Sequence, residues 1–539
     1  MLSLFRKSKK PAQSLRRKQQ ARRRLRAECL EDRRLLAGVV NVDTTVVGDL
    51  TLDGDVSSNR IAVHGTAVPG QFVVQGENGT LLTLDGGAQT FASLTINGIT
   101  DDIIVELGNG DDIFTLGDNS NPTEIGENLI ITNRDDDTNI LLNVDIGEDL
   151  LISRTDIAYS ELQIEGSIIR HNVDIDNNNG DTKTDISGSE IEGTLFIVNG
   201  NGDDVVVIDA TSIGAEQFFR PGGPGSPADP VVSIVNGDGS SLTSFTSAND
   251  PDTTGFLPTG TLARPTIFGG INIVNGDQLP PGLIVAPPTA GGATPTSLSV
   301  AVDIVVFNQA DVLGHLDIEN FDGHTETVIV DSNIGTDTKA RDTVVPVNGG
   351  YGDAVEIANG DGFDLFLSQN STMQYGLSLN NGTGSWGSQT DIRDSEIGGR
   401  DTGSLGVDAS IIFIGDDGDD VFNVSDSAGG STFDGMVMLT FGDGEDSVQF
   451  MGATSQIEID MLDIDFGAGD DMLYMENAEV KSMVRVLFLT GVDTLELRTD
   501  VDFPGGLLGT ILVDGGAGAD FYHVDNVLIP FINFDIFIP

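Results

Sequence analysis

Short runs in which apolar and polar residues alternate follow one another along most of this chain, separated by turns rich in glycine and aspartate. In residues 464–475, IDFGAGDDMLYM, one run ends at Phe466, the turn contains Gly467 and Gly469, and a second run follows Asp471. Alternation with a period of two is typical of a β-strand with one buried face. No helical pattern accompanies these runs. The pattern therefore predicts an all-β protein built from short strands.

The turns themselves recur. Eight copies share a glycine, any residue, an aspartate and then alternating apolar residues; they begin at Gly110, Gly202, Gly362, Gly418, Gly444, Gly469, Gly491 and Gly518. In the last five copies the aspartates are 26, 25, 22 and 27 residues apart. Between the first two, at Asp112 and Asp204, lie weaker copies at 133–144 and 178–186. A fixed period in this range indicates stacked supersecondary units, and we predict a parallel β-solenoid (β-helix) with coils of 22–27 residues.

Stacking follows from energetics, because one coil cannot bury its apolar face alone and a neighbouring coil can cover it. Equivalent residues would then lie about 4.8 Å apart, and we predict that Phe422, Phe450 and Leu473 share one inward column. About 16 coils would make a rod roughly 75–80 Å long. Glycine is expected at the corner because the sharp turn needs a positive φ there.

The middle of the chain is less regular. Residues 215–298 contain 12 of the 19 prolines, yet the strand-like fragments FIVNG, SIVNG and NIVNG persist, ending at Gly200, Gly237 and Gly276. We interpret 38–214 and 299–539 as solenoid coils and 215–298 as coils that carry inserted loops. The alternative is a Pro-rich linker that joins two solenoids.

Charge divides the chain into a basic segment and an acidic body. Residues 1–34 hold 13 of the 27 Lys and Arg residues and three acids, whereas the remaining residues carry 14 basic and 81 acidic side chains. An acidic body repels nucleic acid and anionic lipid and attracts cations. No apolar run approaches the ~18 residues of a membrane helix. Nor does the chain start with the apolar core of a secretory signal. The single cysteine, Cys29, allows no intrachain disulfide.

The glycine–aspartate turns resemble the calcium-binding nonapeptide G-G-x-G-x-D-x-U-x of hemolysin-type (RTX) repeats. GGAGADFYH at 515–523 matches it in full, and FGAGDDMLY at 466–474 matches all but the first glycine. Here one copy occurs per coil, whereas the family repeats it in tandem. The resemblance implies bound Ca²⁺, and the candidate ligands are Asp112, Asp204, Asp364, Asp420, Asp446, Asp471 and Asp520.

Electrostatics offers a reason for such a cation. Two carboxylates ~4.8 Å apart repel by roughly 0.9 kcal/mol in water and by roughly 3.5 kcal/mol at an effective dielectric constant near 20. A bound cation, a raised carboxyl pKa or outward splaying would relieve the repulsion. The alternative is that the aspartates only cap the backbone of their turns. Asp493 lacks the upstream G-x-G, so an interruption of the stacked aspartates at this coil is a further alternative.

A second resemblance lies in LEDRRLLA at 30–37, which follows the basic stretch. It is similar to the LEPR-XLL region at the start of long, repetitive exported bacterial proteins, notably of planctomycetes, with Asp32 at the usual proline. This resemblance implies that residues 1–37 are a sorting region outside the fold. The alternative reading of the basic runs is binding to nucleic acid or anionic lipid.

These features favour an exported structural or adhesive solenoid, secreted or at the cell surface, stabilised by calcium, with cell-surface polymers or proteins as partners. The alternative is a carbohydrate-active β-helix enzyme, which would gather Asp, Arg and His in one groove. The nearest such cluster in sequence is Asp391, Arg393, Asp394 and Arg400, which we interpret as a solvated turn. The apolar end, VLIPFINFDIFIP, leaves two interpretations open, a cap on the last coil or an exposed edge.

Overall fold

The prediction of an all-β parallel solenoid is confirmed. The computed structural model describes residues 38–118, 122–155, 159–214, 230–246, 265–268, 270–276, 302–321, 323–335, 355–382, 386–398, 409–427, 430–503, 511–525, 531–532 and 536–538. Over these residues the chain forms strands and no helix. Correspondingly, this part of the chain contains no helix that could span a membrane. The basic segment 1–37 lies outside the described residues.

Each regular coil contributes one strand to each of three faces. Strands of the first face are parallel and stack in register from coil to coil, as in the pairing of Thr182–Ser187 with Asp204–Asp209. The first-face strands are Arg60–Gly65, Ile113–Gly117, Asp137–Leu142, Ser160–Glu165, Thr182–Ser187, Asp204–Asp209, Ser241–Thr246, Val302–Asn308, His324–Val330, Asp364–Gln369, Ser388–Arg393, Val421–Asp426, Ser447–Gly452, Met472–Glu476, Thr494–Leu497, Phe521–Val524 and Ile536–Ile538.

The second face consists of very short strands and the third of strands of about four to six residues. The second-face strands are Thr123–Ile125, Val144–Ile146, Ile168–Ile169, Glu190–Ile191, Ser212–Ile213, Thr266–Ile267, Asp311–Val312, Asn333–Ile334, Thr372–Met373 and Glu396–Ile397. The third-face strands are Leu50–Asp53, Ile103–Glu106, Leu129–Asn133, Leu150–Arg154, Val173–Asp176, Leu195–Val198, Pro230–Val235, Gly270–Asn275, Leu316–Asn320, Val355–Ala358, Leu377–Asn380, Ala409–Ile414, Ile511–Asp514 and Phe531–Ile532. Three longer strands cover both faces: Thr432–Thr440, Ile457–Asp465 and Ala478–Leu487.

The first part of the described chain departs from the parallel pattern. Val39–Asp43 pairs with Leu50–Asp53 in antiparallel fashion and with Leu81–Leu84 in parallel. Gln71–Gly76 is antiparallel to both Arg60–Gly65 and Ser93–Asn97. These hairpins adjoin the first parallel strands, because Arg60–Gly65 also pairs with the next first-face strand. Two short strands at a corner, Thr490–Gly491 and Ala517–Gly518, complete the set.

The Pro-rich middle contains coils that stay in register with those on either side. Pro230–Val235 pairs with Leu195–Val198 before it and Gly270–Asn275 after it. Likewise, Ser241–Thr246 lies between Asp204–Asp209 and Val302–Asn308. Segments 215–229, 247–264 and 277–301 lie outside the described residues.

Apolar columns fill the interior, and one predicted column needs correction. Phe422, Phe450 and Leu473 are all buried. However, Phe422 is paired with Val448, and Val448 with Leu473, whereas Phe450 belongs to the neighbouring column. The register follows the aspartate of each turn, and Phe450 lies two residues farther from its aspartate than Phe422 does from Asp420. A shift of two keeps a side chain on the same face and moves it by one column.

The prediction that the turn glycines need positive φ is confirmed for some of them, among them Gly467 at 74° in a later coil, and is wrong for others. Gly110 has a φ of 122°. By contrast, Gly469 lies outside the left-handed region, and a Cβ there would overlap the carbonyl oxygen of Gly444 in the preceding coil. A Cβ at Gly491 would overlap the carbonyl oxygen of Gly469 in the same way. In these coils glycine is required by the close approach of stacked backbones.

Candidate functional site

The turns that lead from the third face to the first bring all seven predicted aspartates into one inward column. None of the seven is more than 3% exposed. Strand register extends the column through every coil from Asp112 onward, with hydroxyl residues alternating with acids in the middle. In chain order its members are Asp112, Asp137, Ser160, Thr182, Asp204, Ser241, Asp303, Thr325, Asp364, Ser388, Asp420, Asp446, Asp471, Asp493 and Asp520.

From Asp420 to Asp520 the column consists of five consecutive aspartates, and hydrogen bonds link them. The backbone N–H of each donates to Oδ1 of the aspartate in the next coil, at 2.9 Å from Asp420 to Asp446 and 3.0 Å from Asp446 to Asp471. The same bond is 3.0 Å from Asp471 to Asp493 and 3.2 Å from Asp493 to Asp520. The ladder therefore continues through Asp493, which is fully buried. The missing G-x-G does not break it, because the bond uses the aspartate's own backbone.

In several of these aspartates the second carboxylate oxygen, Oδ2, lacks the hydrogen bond that Oδ1 accepts. Oδ2 of Asp446, Asp471 and Asp493 is buried and has no hydrogen-bond partner in the described structure. The same is true of Oδ2 in Asp112, Asp204 and Asp364. A buried acceptor without a partner costs roughly 1–3 kcal/mol, and more if it is charged. Each of these oxygens therefore favours a bound proton or a cation.

Burial and neighbouring carboxylates raise the pKa values of this column. Desolvation is the main cause: it raises the pKa of Asp446 to about 8 and that of Asp471 to about 7, against the lowering effect of the backbone N–H donors. The pKa of Asp493 rises to about 6 and that of Asp420 to about 7, again chiefly through burial. The raised pKa that the sequence suggested as one way to relieve the repulsion is therefore present.

In the middle of the chain an asparagine ladder runs beside the mixed column. Each Nδ2 donates to Oδ1 of the next asparagine, at 2.8 Å from Asn199 to Asn236, 2.8 Å from Asn236 to Asn275 and 2.7 Å from Asn275 to Asn320. The complete ladder is Asn177, Asn199, Asn236, Asn275, Asn320, Asn359 and Asn381. These amides supply each other's donors and acceptors inside the solenoid, as buried polar groups require.

Hydroxyl groups join the two ladders. Thr182 Oγ1 lies 2.6 Å from Asp204 Oδ1 and 3.2 Å from Asn199 Oδ1. A hydroxyl has one proton and can donate it to only one of the two oxygens. A protonated Asp204 would supply the missing donor. Consistently, burial raises the pKa of Asp204 to about 6.

In the later coils phenylalanine takes the place of asparagine. The rings of Phe441 and Phe466 are stacked with centroids 5.3 Å apart, and those of Phe466 and Phe488 are 4.7 Å apart. Strand register places these rings in the column of Asn381, the last asparagine of the ladder. Thus, the consecutive aspartates lie beside an apolar column, whereas the earlier acids lie beside amides.

A second set of acids, in the position before the inner aspartates, faces outward. Asp470 Oδ1 accepts the backbone N–H of Val492 at 2.8 Å, and Asp419 Oδ1 accepts that of Glu445 at 2.9 Å. These exposed side chains cap the turn of the next coil. These two turns, in which two aspartates directly follow the glycine, therefore contribute to two ladders, one capping the outside and one buried.

The described members of the group considered for enzymatic chemistry form local contacts. Arg393 forms an ion pair with Asp391 at 3.2 Å, and Asp394 accepts the backbone N–H of Ser427 at 2.8 Å. Arg400 lies outside the described residues. In the described ranges no group of three or more His, Cys, Asp or Glu side chains is arranged to hold a metal ion by itself. A cation in the column would therefore also need carbonyl oxygens.

Sequence reasoning missed several members of the site. Asp303 and Asp137 belong to the column without a preceding G-x. Their signal is strand alternation, since each stands at the first inward position of a strand. The signal for the asparagine ladder is the VNG that recurs at 198–200, 235–237 and 274–276, at the ends of third-face strands.

Comparison with protein-family models found no match, and the searches of curated proteins and of solved structures also found none. The function is therefore argued from the geometry of the chain itself.

Proposed function

We propose that this protein is an exported structural or adhesive solenoid of the cell surface or extracellular matrix, stabilised by calcium bound along its aspartate column. The observation that carries the proposal is the run of buried aspartates from Asp420 to Asp520. In this run the Oδ2 atoms of Asp446, Asp471 and Asp493 lack hydrogen-bond partners.

The donor chemistry of the column fits calcium. Ca²⁺ takes six to eight oxygen ligands from carboxylates and backbone carbonyls in a flexible arrangement. The run supplies carboxylate oxygens from successive coils, and the glycine turns supply carbonyls next to them. The carboxylate ligands would come from Asp420, Asp446, Asp471, Asp493 and Asp520, and backbone carbonyl oxygens would complete the coordination. A bound cation would neutralise charges that otherwise oppose folding.

Several features support the placement outside the cell and the structural role. Extracellular calcium modules bind in the 10⁻⁴–10⁻³ M range, so a low-affinity column would fill only after export. Stacked coils present long, repetitive faces, which suit a scaffold or an adhesive surface. The LEPR-XLL-like residues 30–37 point the same way. Cell-surface polymers or proteins are the proposed partners.

The test is thermal unfolding of the full chain, monitored by circular dichroism. It is measured in EDTA and then at increasing calcium concentrations, with magnesium as control. We expect a rise in melting temperature specific to calcium, because Mg²⁺ demands stricter octahedral geometry and gives up its water reluctantly. A melting temperature that responds equally to both ions would overturn the calcium claim and leave the aspartates as caps.

A further inference from the structure

One edge of the solenoid carries aromatic side chains in three successive coils, where most other coils carry exposed acids. The residue before each inward member of the aspartate column faces outward, and in most coils with a G-x-D turn it is an exposed acid, as at Asp203, Asp419 and Asp470. Between the acids, the same edge carries aromatic rings. These are His324, Phe363 and Trp386, which we call the aromatic edge.

The three rings form one cluster. The His324 ring lies 6.3 Å from that of Phe363 and 6.0 Å from that of Trp386, in edge-on geometry with both. His324 Nδ1 accepts the backbone N–H of Phe363 at 3.0 Å, which fixes the imidazole against the next coil. Phe363 is 38% exposed, and Phe321, on the same edge, is 45% exposed. The cluster thus offers open ring surface to solvent.

Carboxylates flank the aromatic edge along the stack. Asp361 is exposed in the turn that contains Phe363. In the next coil after Trp386 the exposed acids are Asp417 and Asp419, and a Cβ at Gly387 would overlap the carbonyl oxygen of Asp419, so the two turns are in direct contact. Ring faces attract cations, and acids beside them strengthen the attraction. The chemistry of this edge therefore suits a guanidinium or ammonium group better than a neutral one.

The chain itself contains a segment of this chemistry. Residues 16–26, RRKQQARRRLR, carry seven of the 27 Lys and Arg residues and no acid. Arginine suits such a place particularly well, because its planar guanidinium stacks on aromatic rings and also pairs with carboxylates. The net charge of -57 would draw the segment toward the body over a long range.

We propose that the aromatic edge is a docking site for the arginine-rich segment 16–26 of this chain. An arginine of the segment stacks on the exposed rings while its neighbours pair with Asp361, Asp417 and Asp419. This inference goes beyond the structural role proposed above and does not depend on calcium.

Trp386 makes the test direct, because it is the single tryptophan of the chain and so reports on this edge alone. The fluorescence of the full chain is compared with that of a variant in which all seven basic residues of 16–26 are replaced by Gln. We expect the two emission spectra to differ at low salt and to converge at high salt. The synthetic peptide RRKQQARRRLR, added to the Gln variant, should restore the wild-type spectrum. Identical spectra at low salt would overturn the proposal.

Matched variants distinguish the site from general attraction to an acidic body. In the Gln background, Phe363→Ala should weaken peptide binding about three- to tenfold, the range of one cation–π contact, whereas Phe196→Ala on the third face should not. Phe196 is 41% exposed, so its replacement by alanine removes a comparable area of exposed ring. Asp419→Asn should weaken binding more than Asp470→Asn, although both carboxylates cap a turn by the same kind of bond. Equal losses within each pair would show binding without a site and overturn the proposal.

Discussion

The backbone N–H of Asp446 donates a 3.0 Å hydrogen bond to Oδ1 of Asp471, which lies one coil and 25 residues farther along the chain. The bond satisfies a buried donor of one coil with a side chain of the next, so it ties neighbouring coils together. It also holds the carboxylate inside the solenoid, where Oδ2 of Asp471 has no hydrogen-bond partner among the described residues. The same side chain therefore links two coils by a hydrogen bond and destabilises the folded state by its buried charge.

Removing the charge of one aspartate in the column should separate its hydrogen bond from its electrostatic cost. Asp471→Asn keeps an oxygen for the N–H of Asp446, and its amide N–H₂ can donate to the adjacent Oδ2 atoms. In EDTA at pH 8 we expect an unchanged or higher melting temperature, and a smaller response to calcium. The control is Asp470→Asn, the exposed neighbour, which should leave the calcium response intact. If Asp471→Asn lowers the melting temperature and keeps the full response, the carboxylate is a cap and no ligand.

Without calcium, stability should rise as the solution is acidified. The folded pKa values of Asp446, Asp471 and Asp493 are about 8, 7 and 6, above the ordinary aspartate value of 3.8, so between pH 4 and pH 8 the folded state binds more protons than the unfolded state. The stabilisation is complete below about pH 4 and is lost as the pH rises through these folded values. Melting temperatures in EDTA at pH 5 and pH 8 measure it.

Two comparisons tie this pH dependence to the column. The triple variant with Asn at positions 446, 471 and 493 should show a flatter profile, because it lacks the titrating groups. Saturating calcium should weaken or reverse the slope, since metal ions compete with protons for carboxylates. A triple variant that keeps the wild-type slope would assign the effect to the acidic surface instead.

Adding a methyl group at a turn glycine should lower the free energy of unfolding far more at Gly469 than at Gly166. Gly469→Ala places a Cβ against the carbonyl oxygen of Gly444, so we expect a loss of about 3 kcal/mol or more in the free energy of unfolding. Gly166→Ala is the control, because its φ is 60° and no heavy atom lies within 4 Å of the added Cβ. Its cost should be limited to the backbone penalty of about 1–2 kcal/mol. Urea unfolding measures both, and equal costs would contradict the backbone stacking described here.

Interrupting the asparagine ladder should destabilise the middle coils. Asn275→Ala removes the acceptor of Asn236 Nδ2 and the donor to Asn320 Oδ1, and it leaves both buried partners without that bond. We expect a loss of about 2–4 kcal/mol in unfolding free energy. Asn272→Ala, on the outward side of the same strand, should change it by about 0.5 kcal/mol or less. Hydrogen exchange of residues 230–246 and 302–321 would locate the effect, and protection equal to that of the control variant would refute it.

Much of the fold could be predicted from local pattern. The period-two runs, the recurring Gly-x-Asp and the spacing of 22–27 residues identified the stacked coils and selected aspartates that share one column. Burial of the column was harder to predict from the sequence, since the same pattern suits an aspartate that caps a turn from outside. Both occur one residue apart where two aspartates directly follow the turn glycine, as at Asp470 and Asp471.

The repeat can be predicted from the sequence alone, because a coil that cannot bury its own apolar face must pair with the next, and the spacing sets where equivalent residues meet. The folded structure is needed to show which residues are equivalent, as the separation of Phe422 from Phe450 demonstrates. It also decided that Asp303 joins the column and that Asn199 and Asn236 form a ladder. These contacts join residues that are 37 and 62 positions apart in the chain, so their sequence separations are unequal. Strand register, which depends on backbone pairing between whole coils, therefore had to be seen directly.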